Sequence, residues 1–147
     1  MNKPGPGARR RARRAALQGL YQWQATGQEA EEIIAQFDEN KSSKSLDRDY
    51  FCRVVQGVIN HVGSLDEMLT PCLDRPLRQV DPVERALLRL AAFELAHCDD
   101  VPWRVIIDES VELARAFGAE QGHRFVNGVL DKLAPAVRGE AKSGAGG

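Results

Sequence analysis

Apolar residues recur along this chain at intervals of three and four, the spacing that lines one side of an α-helix. The first such segment runs over 8–25, with Leu17, Leu20 and Trp23 on its apolar stripe and Gly27 as its stop. A shorter one over 29–39 buries Ile33, Ile34 and Phe37, and a polar loop over 41–45 follows. Asp47 then caps a third segment, in which Tyr50, Phe51, Val54, Val55, Val58, Ile59 and Val62 keep the period. Ser64, with Glu67 three residues later, reads as a capping box opening a fourth helix on Leu65, Met68 and Leu69. Pro71 inside that pattern kinks or shortens it, and residues 76–80 form a linker.

The strongest start signal is Asp81-Pro82-Val83-Glu84, a carboxylate at N-cap, proline at N1 and glutamate at N3. The fifth helix, over 82–96, is apolar on more than one side and therefore central. Pro102 opens a sixth, which buries Ile106, Ile107, Val111, Leu113, Ala114 and Phe117 and ends at Gly118, a natural helix-stop residue. A seventh starts near Glu120, lines its inner side with Phe125, Val126, Val129, Leu130 and Leu133, and stops at Pro135. No stretch has the two-residue alternation of a strand bounded by hairpin turns. The expected fold is all-α, seven helices packed as two small bundles that share one core. Residues 8–135 form one domain, between a flexible arm at 1–7 and a flexible tail at 136–147.

At 147 residues the chain can bury roughly 70% of its accessible surface. No apolar run approaches the roughly 20 residues of a membrane span, and the N-terminus lacks the apolar segment of a secretory signal. Cys52, Cys72 and Cys98 are odd in number, lack CxxC spacing and fall in apolar helical patterns, so free buried thiols are expected. A cytoplasmic location fits.

Charge changes the picture. The first fourteen residues carry six cations (Lys3, Arg9, Arg10, Arg11, Arg13 and Arg14) and no acid, whereas the remainder nets −7. A cationic arm on an acidic body points to a polyanionic partner at that end. Arg10, Arg14, Leu17 and Tyr21 follow one another by four, three and four residues, which puts two guanidinium groups and a phenol on one helix face. A helix basic at its start is opposed by its own dipole, a cost of about 0.3–1 kcal/mol per exposed charge that bound phosphates would remove.

Catalytic signals are absent. The chain has no GxGxxG, GxxxxGK[ST] or GxSxG, and no cysteine shares a known catalytic context with a histidine. His97-Cys98-Asp99-Asp100 has metal-ligand chemistry, but consecutive residues at a helix end rarely converge on one ion. Asp108, Glu109 and Glu112, with Arg104 and Arg115 within a turn, read as a solvated ion-paired face. Neither an enzyme activity, a metal nor a cofactor is expected. The start of the seventh helix gathers Glu120, Gln121, His123, Arg124 and Phe125 around backbone N–H groups, a candidate site for phosphate or a base edge. The spacing of Phe125 with Val129 and Leu133 also suits the core, which is the stronger reading for that ring.

These residues have a familiar order. The pattern RRxARRxAxQxLYxWQ over 9–24 resembles the opening of the NusB family of bacterial transcription antitermination factors. The resemblance continues through Tyr50-Phe51, Gly57-Val58, Val83–Arg89, Phe93-Glu94-Leu95, Asp100-Val101-Pro102, Glu112-Leu113-Ala114, Phe117-Gly118 and Phe125–Asp131, covering about 8–135. It implies an all-helical protein that pairs with NusE, the ribosomal protein with a second role. Together they bind single-stranded boxA RNA of nascent ribosomal transcripts and help RNA polymerase read through terminators. By similarity Arg9, Arg10, Arg13 and Tyr21 touch RNA, joined by Gln121, Arg124 and Phe125, and the charge run adds Lys3 and Arg14. Glu84 lies near the middle of the implied NusE side, on the fourth to sixth helices. A homodimer hiding the RNA surface is a further arrangement known among relatives.

Two positions depart from the family pattern. Arg14 stands where many relatives have an acid or a neutral residue, and Gln121 where Asp is frequent. The first makes RNA binding less selective and the second removes a negative charge beside RNA. Two other readings stay open on sequence alone. One is a protein–protein scaffold with an incidental basic arm. The other is the NusB-like domain of an RNA cytosine methyltransferase, which needs a site for S-adenosylmethionine.

Overall fold

A computed structural model describes residues 7–40 and 46–139. Its described residues form seven α-helices and no strand, as the periodicity predicts. They are α1 (Ala8–Thr26), α2 (Ala30–Glu39), α3 (Arg48–Asn60), α4 (Val62–Leu69), α5 (Pro82–His97), α6 (Trp103–Phe117) and α7 (Gly122–Val137). The chain divides into two compact units, one ending at Asn60 and the other beginning at His61. Lys3, the loop over 41–45 and most of the expected tail lie outside the described residues.

In the first unit, Leu17 and Leu20 of α1, Ile33 of α2, and Phe51, Val54 and Val58 of α3 are buried. Gly27 ends α1 with φ 73°, a left-handed conformation that glycine adopts without a Cβ penalty. Asp47 Oδ1 accepts from the Tyr50 amide at 3.1 Å, the N-cap bond expected at the start of α3.

In the second unit α5 is central, with Leu87, Leu88, Leu90 and Leu95 all at most 1% exposed. Asp81 accepts from the Val83 amide at 3.0 Å, with Pro82 in the first turn, so this N-cap forms as expected. Glu84 does not complete a capping box, because its side chain turns to another segment. The Ser64–Glu67 box does not form either. α4 begins two residues earlier, and Ser64 Oγ donates to the His61 carbonyl from inside the helix. Hydroxyls inside a helix commonly bond back to the preceding turn in this way. Pro71 ends α4 in a single 3₁₀ turn, Thr70–Cys72, and a second such turn, Leu77–Gln79, interrupts the linker.

Pro135 does not stop α7, which runs to Val137. Arg138 then donates to the carbonyls of Leu95 (2.9 Å), Val101 (2.6 Å), Glu94 (3.1 Å) and Cys98 (2.8 Å). These include carbonyls that the end of α5 leaves without intrahelical partners. Phe117, expected inside, is 42% exposed, and Val111 is only half-buried. Of the three cysteines, none of which forms a disulfide, Cys72 and Cys98 are buried while Cys52 is half-buried. His97 stacks on His61 at 4.7 Å and on Phe93 at 5.0 Å. Among the described residues no three His, Cys, Asp or Glu side chains converge as metal ligands. No described helix is long and apolar enough to cross a membrane.

Candidate nucleic-acid interface

Five arginines within residues 9–14 advance by about 100° per residue and cannot share one helix face. The apolar line of α1 is set by Ala8, Ala12 and Ala16, with Leu17 and Leu20 beside it, all at most 4% exposed. Arg13 precedes Ala16 by three positions and Leu17 by four, so it follows them inward and is 4% exposed. The side chain expected from the resemblance to touch RNA is thus packed against the interior of the first unit. Its guanidinium carbon lies 5.6 Å from the centroid of the buried Tyr50 ring, whose π face stabilises a cation removed from water. Leu17, grouped from spacing with Arg10 and Tyr21, also belongs to the interior.

The cations left at the surface are Arg10, Arg11 and Arg14, together with Arg9. Arg9 is held on two sides. Its guanidinium carbon stands 4.4 Å above Tyr50, and Nη2 is 3.7 Å from the Asp47 carboxylate. It still keeps 44% of its side-chain area exposed. Tyr21, about two turns along the helix from Arg14, is 45% exposed and offers its ring to solvent. Arg11 and Arg14 also stand on a cleft of about 490 Å³ formed with α2 and the start of α3, which Gln18, Gln22, Gln36 and Phe37 help to line. Arg11, one of the six cations of the charge run, was not among the residues expected to touch RNA, although its position next to Arg10 carried the same signal.

The second unit brings a different group together at the start of α7. Gln121 is the N-cap residue, with φ 67°, and the Gly122 amide donates to the Ala119 carbonyl at 2.8 Å. A non-glycine residue in the left-handed region stores roughly 1–2 kcal/mol. Such strain concentrates at ligand-binding positions. Gln121 and Arg124 are exposed, and His123 is half-buried. Phe125 is half-buried rather than part of the core, which corrects the reading from its spacing. Arg75 lies over its ring, 4.6 Å from guanidinium carbon to centroid, and also pairs with Asp74 at 2.7 Å. Arg75 sits in the linker after α4, fifty residues from Phe125, and no local pattern pointed to it.

Glu84 is not a surface contact. It is 2% exposed, and its Oε1 accepts from the Ala119 amide at 3.1 Å, so the residue expected on the partner side spends its carboxyl inside the second unit. A Cβ at Gly118 would stand 2.7 Å from the Ala114 carbonyl oxygen and 3.1 Å from Glu84 Oε1. Gly118 has φ −84°, so the close approach of the Ala114 carbonyl, with the Glu84 carboxyl behind it, is what requires glycine there, and not a left-handed helix stop. Burial first, and the Asp81 carboxyl second, raise the Glu84 pKa to about 7. The hydrogen bond from Glu84 in turn holds Asp81 below its ordinary value.

The first unit thus carries exposed guanidinium groups and an accessible aromatic ring on one helix, and the second an arginine over a half-buried ring, a chemistry suited to phosphates and unstacked bases. The NusB family model matches residues 10–135. The chain belongs to the NusB family. It is 52% identical to the transcription antitermination protein NusB of Alcanivorax borkumensis over 94% of this chain and 93% of that one. Its identity to the protein of the same name from Idiomarina loihiensis is 50%, over 90% and 96% of the two chains. Among solved structures, NusB of T. maritima superposes with a TM-score of 0.81 at 30% identity, covering 97% of this chain and 99% of that one. A crystal structure of the antitermination factors NusB and NusE in complex with double-stranded RNA matches with a TM-score of 0.75 at 25% identity, covering 90% and 99%. Membership in the NusB family places the Arg-rich helix and the α7 entry in a family of antitermination proteins.

Proposed function

We propose that this NusB-family protein is a non-enzymatic RNA-binding transcription antitermination factor, which binds boxA RNA of nascent ribosomal transcripts together with NusE. The observation that carries the reading is the exposed basic surface of α1, where Arg9, Arg10 and Arg14 accompany an accessible Tyr21 ring. Family membership supplies the biological setting. Single-stranded RNA offers splayed bases that stack on aromatic rings while guanidinium groups neutralise phosphates.

RNA contacts α1 through Arg9, Arg10, Arg14 and Tyr21 and, in the second unit, the α7 entry through Gln121, Arg124 and the Arg75–Phe125 pair. Lys3 contributes a further cation. NusE binds the outer surface of α4 to α6, and the complex acts with RNA polymerase in the cytoplasm. A homodimer would compete by covering the RNA surface.

Binding of a boxA oligonucleotide and a scrambled control, with and without NusE, tests the reading. If four arginines neutralise phosphates, log K falls against log salt with a slope of about −3. Equal affinity for both RNAs and a slope near zero would leave the scaffold reading instead.

A further inference from the structure

The Glu84 carboxyl is explained neither by the surface cations nor by the apolar core. It reaches from α5 to the α6–α7 turn, thirty-five residues on, where Oε1 takes the Ala119 amide. At Gly122, the first residue of α7, an added Cβ would land on Glu84 Oε1 and 2.9 Å from its Cδ. Gly122 therefore makes room for the carboxyl, and at Gly118 a Cβ would stand 3.1 Å from the same oxygen. Oε2 is buried and accepts no hydrogen bond. The Asp81 carboxyl is close enough to that of Glu84 for the two to share a proton.

We propose that Glu84 is a positioning residue for RNA binding: it seats Ala119 and Gly122, thereby fixes how Gln121 and Arg124 meet a phosphate, and modulates that grip through its own proton. The proposal rests on the RNA-binding reading above. An ionised Glu84 puts a negative charge at the start of α7, where it offsets the positive end of the helix and opposes an incoming phosphate. The protonated form donates from Oε2 to Asp81, keeps the Oε1 bond to Ala119, and leaves that positive end to the RNA. With its pKa raised to about 7, both forms are populated near neutrality.

Ionisable groups on the surrounding segments include Asp81 at the N-cap of α5 and Arg85 on it, Arg115 in the last turn of α6, Glu120 on the turn, and His123 and Arg124 on α7. Glu84→Gln leaves His123 in place while imitating the protonated carboxyl, since its amide can donate to Asp81 and accept from Ala119.

The test uses the full chain and two readouts. The amide NMR shifts of Ala119 and Gly122 should titrate together near pH 7 in the wild type and stay flat in Glu84→Gln. Affinity for a boxA oligonucleotide should fall about fivefold more between pH 6 and pH 8 in the wild type than in Glu84→Gln. Identical titrations, or identical pH profiles of affinity, would overturn the proposal. Glu84→Asp, too short to reach Ala119, should weaken RNA binding about tenfold at every pH, and unchanged affinity would equally count against it. A wild type that binds no RNA at either pH refutes the RNA-binding reading and Glu84's role in binding with it; the amide titration then still decides whether the carboxyl controls the turn.

Discussion

Arg75 covers one face of Phe125, with 4.6 Å between the guanidinium carbon and the ring centroid. The linker after α4 and the first turn of α7 thereby present a cation and an aromatic ring as one unit. Such a pair can stack a base and contact its phosphate together. Arg75→Ala should weaken boxA binding and reduce the magnitude of the salt slope by about 0.7. Phe125→Ala should cost about 1–3 kcal/mol in binding while leaving the slope unchanged. Salt titrations of the two variants by fluorescence anisotropy check both.

Arg13 and Arg14 are neighbours in sequence with opposite environments, one 4% exposed and the other on the surface. Arg13→Ala should destabilise the fold by about 2 kcal/mol, through lost packing of its stem and lost contact with Tyr50. It should leave the salt slope of RNA binding unchanged. Arg14→Ala should do the reverse, shifting the slope by about 0.7 with stability within about 0.5 kcal/mol of wild type. Urea midpoints and salt titrations on the same preparations separate the two.

Arg138 ties four backbone carbonyls around the end of α5. A lost hydrogen bond to a charged group costs about 1.5–3 kcal/mol, and neighbouring losses do not simply add. Arg138→Ala should therefore destabilise the protein by about 3 kcal/mol in urea. Lysine should restore little, because one ammonium cannot reproduce the planar fork of a guanidinium. Truncation at Val137 should match the alanine variant.

Glu84 also links stability to pH. Its pKa rises from 4.5 to about 7 on folding, so between those values the folded state binds more protons than the unfolded one. Stability from this group is present below about pH 4.5 and lost as pH rises toward 7, by an amount on the order of 2 kcal/mol. Asp81 is shifted the other way, downward, so its contribution is lost only as the medium becomes more acidic than the ordinary Asp range. Denaturant midpoints from pH 5 to 8 should decline in the wild type, and Glu84→Gln should flatten that decline.

Much of the fold was legible because its signals are local. Apolar periodicity placed seven helices, Gly27 and Asp47 marked ends through their own backbone preferences, and Asp81-Pro82 started α5 as written. Local signals failed where a side chain had a nearer or more distant alternative. Ser64 found the His61 carbonyl within its own turn, and Glu84 found the Ala119 amide. Pro135 was read as a stop, yet α7 continues past it to Val137 and hands the chain to Arg138, which donates to four carbonyls.

The amino-acid order by itself determined the helical class, the concentration of positive charge at one end and the likeness to the NusB family. These are properties of spacing and composition, which need no knowledge of what meets what. Only the tertiary structure decided that Arg13 turns inward, that Phe125 carries Arg75 on its face, and that Glu84 lies beneath Gly122. Each depends on groups brought together from separate helices, turns and linkers, and a buried or paired charge is defined by those neighbours rather than by its own position in the chain.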